Sequence, residues 1–231
     1  MRFLRVFLTD ARYQFRYGFY FLYFIISAVY IGILFMMPTE LRRMGTVWII
    51  LSDPVFLGFF FIGGMLLLER GEGIHGYLSI IPVTSGEYVM AKVLSLSMIS
   101  TLTGIIIAAA TMGGQVNYLL LTAGLLVGST VFTLFGLTVG TMARSVNNYI
   151  VISVPVGIML MLPALFAAIG ITRPFFELLP ATLLLRLLYR AVGLNGSYSS
   201  AIILTGLSLW LLPAFWIANR QFKSYLQRTE G

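Results

Sequence analysis

Between Tyr17 and Met37 the chain carries no charged residue. A stretch of about 20 apolar residues is what an α-helix needs to cross a bilayer. Lipid offers no partners to exposed backbone groups, so a spanning segment of this kind must satisfy its own hydrogen bonds as a helix. Five further runs follow: one within Val47 to Leu68, then Val93 to Met112, Tyr118 to Met142, Tyr149 to Ile171 and Ser200 to Ala218. The sequence therefore predicts an all-α membrane protein of six transmembrane helices, with residues 1–231 forming a single domain. The composition agrees: 59% of residues are hydrophobic and 10% charged, against about 25% charged in a soluble domain.

Several chemistries are excluded early. Cysteine is absent and His75 is the single histidine, so there is no disulfide framework and no thiolate metal site. No HExxH, P-loop or Rossmann fingerprint occurs. A net charge of +7 raises nucleic acid as a partner, but most of the basic residues flank apolar spans, as the positive-inside rule expects. No nucleic-acid partner is expected.

Six spans put both termini on one side. With the termini inside, Arg2, Arg5, Arg12, Arg16, Arg70, Lys92, Arg144, Arg220, Lys223 and Arg228 are cytoplasmic, while Arg42, Arg43, Arg173, Arg186 and Arg190 are outside. Ten against five favours cytoplasmic termini in a bacterial or archaeal cytoplasmic membrane.

Residues 1–16 read as an amphipathic helix. Phe3, Phe7, Ala11 and Phe15 recur every fourth position, with Leu4 and Leu8 beside them, and Arg2, Arg5, Arg12 and Arg16 fall opposite. Such a helix lies in the interface plane against membrane lipid. It serves either as a plain anchor or as a lever riding on the first span. A cleavable signal would need a continuous apolar core there.

Asp53-Pro54 gives the second span two possible starts. As a cap and first-turn proline it opens a helix near the outer face, leaving Arg42 to Ser52 as a short outer segment. If the span instead begins at Val47, Asp53 is a costly buried carboxylate and a functional suspect. The cap is the cheaper arrangement. The region 172–199 holds an apolar piece, Leu178 to Val192, carrying Arg186 and Arg190 on one helical face. It is predicted to be an outer re-entrant helix with both arginines directed to water. Gly124, Gly128, Gly136 and Gly140 on the fourth span allow close helix approach, within the bundle or at a subunit interface. Pro155 and Pro163 should bend the fifth.

The polar island Glu69 to Lys92 interrupts this pattern. Glu69, Arg70 and Glu72 end the second span, and Gly71, Gly73 and Gly76 permit a change of direction. Ile74, Tyr77, Leu78, Ile80 and Ile81 are apolar residues in a short extramembrane stretch, able to fill a partner's groove as one or two helical turns. Pro82 stops that helix, and Thr84-Ser85-Gly86-Glu87 has the form of a capping box opening the third span.

This arrangement resembles the permease subunits of type 2 ABC exporters. There an acidic-basic pair and a glycine leave the second span, a short coupling helix follows, and a proline and an acid precede the third. The matching positions are Glu69, Arg70, Gly71, Glu72, Gly73, Pro82, Glu87 and Lys92. Within that family, Ser52 to Leu96 is most similar to permeases described as fluoroquinolone exporters. The resemblance implies a coupling segment over 69–84, with Ile74, Tyr77 and Leu78 at its centre, seated on a separate cytoplasmic ABC ATPase. ATP and Mg would lie on that partner, and this chain would be no enzyme. It also implies a second permease, identical or a sister chain, and a path along the second and fifth spans. Phe56, Phe59, Phe60 and Gly63 are its candidates on the second, with Met159, Met161 and Phe166 on the fifth. The expected function is export of a lipophilic small molecule or drug. An ion-coupled carrier or channel is the rival, with Asp53 as its one candidate acid. A non-transporting sensor or immunity subunit of an ABC system is another. A membrane enzyme would need clustered polar catalytic groups at depth, which the spans lack.

Overall fold

The computed structural model describes residues 2–52, 54–74, 83–171, 173–194 and 198–229. Among them every regular element is a helix. In chain order these are α1 (Arg2–Arg16), α2 (Phe19–Met36), α3 (Thr39–Ser52), α4 (Pro54–Gly71), α5 (Ser85–Met112), α6 (Tyr118–Gly140), α7 (Val146–Ala168), α8 (Pro174–Glu177), α9 (Pro180–Ala191), α10 (Ser200–Leu209) and α11 (Leu211–Thr229). Six stretches are long and apolar enough to span a membrane: α2, α3 with α4, α5, α6, α7, and α10 with α11.

The central helix is α6, with α4, α5, α9 and α11 all packed on it. Its glycines explain why. In lipid there is no hydrophobic drive between helices, so close van der Waals packing has to hold them. Side chains of α9 occupy the space at two of these glycines, Leu187 at Gly124 and Leu184 at Gly128. Further along, the backbone of Phe59 on α4 crosses directly over Gly136, and Gly63 of α4 meets Gly140. All four glycines thus serve packing within this chain.

Arg42 to Ser52, expected as a short outer segment, lies within the helix α3. Val47, Ile50 and Leu51 are buried in the core, and Thr46 hydrogen-bonds Thr111 of α5 at 3.2 Å. The helix of the third span begins at Ser85, ahead of its apolar run from Val93, with the Thr84 box opening it as expected. Arg186 and Arg190 are not directed to water. The Arg186 guanidinium forks onto Glu177, donating from Nη2 at 2.6 Å and Nε at 3.2 Å, because α8 brings that carboxylate alongside; Arg190 donates to the Tyr198 carbonyl. The helix α9 that carries them packs one apolar face against α6, α7 and α10.

Asp53 lies outside the described residues, so the choice between cap and buried carboxylate does too. Pro54 is the first residue of α4.

Candidate functional site

The polar centre of the molecule sits between the end of α4 and the start of α5. Lys92, on the second turn of α5, is 1% exposed. An ammonium at that depth has to be paired, and two carboxylates pair it. Its Nζ donates to Asp10 Oδ1 of α1 at 2.7 Å and to Glu69 Oε1 of α4 at 2.5 Å. The second oxygen of each carboxylate is bonded as well. Tyr88 donates to Glu69 Oε2, Ser95 donates to Asp10 Oδ2, and Gln14 Nε2 donates to Asp10 Oδ2 at 2.6 Å. The ring of Tyr88 lies 5.2 Å from the ammonium and stacks on Phe222 of α11 at 5.0 Å. Three elements thus meet on one cation, and α11 packs on the aromatic ring beside it.

A second tie lies beside it. Glu72, just past the end of α4, is exposed and accepts hydrogen bonds from Tyr13 at 3.4 Å and from Tyr17. Burial, and then the charges of Glu69 and Glu72, hold the Tyr13 phenol well above its usual range, so it stays a neutral donor. The turn itself is built for the exit. Gly73 has φ +72°, a conformation that favours glycine, and its amide bonds back to the Arg70 carbonyl at 3.1 Å. Across the segment, Thr84 Oγ1 accepts from the Glu87 amide at 3.2 Å, and Glu87 Oε2 accepts from the Thr84 amide at 2.8 Å. The capping box predicted for this position is present on both sides.

The expected coupling residues are therefore placed in different ways. Glu69 is buried and paired, Glu72 is held by α1, and Arg70 lies 5.8 Å over the Tyr225 ring. Gly71 ends α4, Ile74 is half-buried and Glu87 caps α5. Tyr77, Leu78 and Pro82 lie outside the described residues. Lys92 does not face headgroups, and without it the charge count becomes nine against five. Asp53 is also no longer the one acid to consider at depth, since α1 laid against α5 buries Asp10, and Glu69 is buried beside it.

The expected path residues divide likewise. Phe56 and Phe59 are core side chains, with the Phe56 ring 4.6 Å from Phe132. Gly63 is covered by Tyr149, whose hydroxyl donates to the Phe59 carbonyl at 2.6 Å and fastens α7 to α4. Phe60 and Met161 are half-buried, and Phe166 stacks on Phe176 at 5.7 Å. Met159 alone of this set is open, at 74% exposure.

Asp10, Gln14, Tyr88 and Ser95 were not singled out from the sequence. A signal was present. Asp10 is the one acid before Glu40, and Val6, Asp10, Tyr13, Gln14 and Tyr17 make a third stripe on α1, distinct from the arginines.

Six apolar helical stretches around a paired internal charge define a multi-pass membrane protein. The chain belongs to the fluoroquinolones export permease protein family, whose model matches residues 1–230. Two curated proteins of Mycobacterium tuberculosis, from strains CDC 1551 and H37Rv, each carry the name fluoroquinolones export permease protein. Both are 28% identical to it over 153 residues, which covers 66% of this chain and 65% of their own length.

Proposed function

We propose that this chain is the membrane subunit of an ABC exporter, moving a lipophilic small molecule outward with ATP hydrolysed on a separate cytoplasmic ATPase. The names of its relatives suggest a cargo of the fluoroquinolone class. The observation that carries the reading is the Lys92 tie. It joins α1, α4 and α5 at the two roots of the segment that would dock the ATPase. A push on that segment moves the three helices together instead of bending a loop. The Tyr149 bond from α7 to the α4 backbone passes the motion to the fifth span. Two such chains, identical or sister, would tilt as rigid bodies between two packed arrangements. The exposed face of α7, with Met159, would then border the path between subunits. Methionine and aromatic surfaces suit varied lipophilic cargo because they repack.

The carrier reading draws on Asp10 and Glu69 as buried acids. Both are spent on Lys92 near the end of the spans, which favours a mechanical tie over an ion-coupling site.

The test is co-purification of the tagged chain with the ATPase encoded beside it, followed by ATP turnover with and without Glu72→Arg. Glu72 is exposed, so the variant should fold. A stable complex that loses turnover in the variant is the expected result. No association with a folded chain, or uptake driven by an ion gradient without ATP, would overturn the reading.

A further inference from the structure

Below the free edge of α1 lies an apolar cavity of about 730 Å³, within the roughly 300–1,000 Å³ range of ligand sites. Phe3, Phe7 and Ala11 form its roof. Met98 and Leu102 of α5 and Leu126 of α6 form its walls. Met98, Leu102 and Leu126 are exposed in the chain, so the cavity opens sideways toward the bilayer. Its polar lining is slight, and Ser95 at the inner end is already bonded to Asp10.

The charge on α1 says what fits. Arg5, Arg12 and Arg16 are exposed. The one acid of α1, Asp10, is buried and committed to Lys92. The helix therefore shows only positive charge along its polar edge and only carbon toward the cavity. We propose that this cavity holds the acyl chains of one anionic phospholipid from the surrounding bilayer, with its phosphate against the α1 arginines. A neutral lipid would fill the carbon-lined space equally well but would leave the arginines without counter-charge. This differs from general interfacial adsorption, in which any apolar face sinks among lipids without a bounded site. Here α1, α5 and α6 enclose the chains on three sides.

The experiment uses the full chain purified in mild detergent, titrated separately with phosphatidylglycerol and phosphatidylcholine and read by native mass spectrometry. One phosphatidylglycerol should be retained in preference to phosphatidylcholine. A basic residue near an anionic surface is worth roughly fivefold in affinity. The Arg5→Gln/Arg12→Gln double variant should therefore lose the preference by roughly 30-fold. Leu102→Trp, at an exposed wall position, should lower retention of both lipids. Equal retention of the two lipids by the unaltered chain overturns the proposal. So does a preference that survives the double variant. Unchanged retention in a monodisperse Leu102→Trp protein would place the lipid elsewhere and also overturn it, as would a second copy of the chain binding in place of lipid.

Discussion

Replacing Lys92 with methionine keeps most of the side-chain volume and removes the charge. The consequence follows from counting charge in the buried network. Asp10, Glu69 and Lys92 together carry one net negative charge. Lys92→Met leaves two buried carboxylates facing each other with no cation between them. Removing one partner of a buried pair costs about 3–5 kcal/mol, and this substitution orphans two partners, so the upper part of that range applies. Asp10→Asn instead leaves a balanced Lys92–Glu69 pair and forfeits one charge-assisted contact, about 1–3 kcal/mol. At about 2–4 °C per kcal/mol for a chain of this size, a cost of about 4–5 kcal/mol means that Lys92→Met should lower the midpoint of thermal unfolding in detergent by roughly 8–20 °C. Asp10→Asn should cost clearly less. The triple neutral variant Asp10→Asn/Glu69→Gln/Lys92→Met should recover much of the loss, since a network without charge has none to leave unpaired. Melting followed by size-exclusion fluorescence ranks the three. If Asp10→Asn melts at or below Lys92→Met, or if the triple variant is the worst of them, the charge argument is wrong.

Two glycines should respond with opposite sign. Gly136→Ala places a Cβ against the Phe59 backbone and should cost about 1–3 kcal/mol by overpacking. Gly64→Ala meets nothing within 4 Å and should gain about 0.5–1 kcal/mol from reduced chain entropy, as read by the same melts. Thr84→Ala removes one half of the capping box and should cost about 1 kcal/mol. Its signature is faster amide hydrogen exchange at Ser85 to Tyr88, with the far end of α5 unchanged. Tyr149→Phe removes the donor to the Phe59 carbonyl and should cost about 1 kcal/mol. If the proposed complex with an ATPase forms, it should also uncouple ATP turnover from transport, since it loosens α7 from α4.

The spans were legible because length and apolarity are properties of a segment by itself. The start of the fourth span at Tyr118 and the Thr84 box fall where the sequence puts them, and Gly73 takes the backbone conformation that only a glycine adopts freely. Tertiary placement was the part hidden from the sequence. Phe56 and Phe59 look like free aromatics until Gly136 draws the α4 backbone onto α6. Lys92 reads as a surface cation by its position between a polar island and an apolar run. Only when α1 folds back over α5 does a carboxylate eighty-two residues away reach it. Arg186 was misplaced for a similar reason, because its partner Glu177 lies on a separate short helix.

The order of synthesis gives the Lys92 network another meaning. Asp10, Gln14, Glu69, Tyr88, Lys92 and Ser95 all precede α6 in the chain. The glycines that bind the finished bundle together are mostly on α6, so the early spans emerge before the helix on which they will close. In lipid those spans have no hydrophobic reason to stay together. A lysine that needs two carboxylates from two earlier helices supplies one. The partners that tie α1, α4 and α5 together are thus all in the chain before the central helix is made.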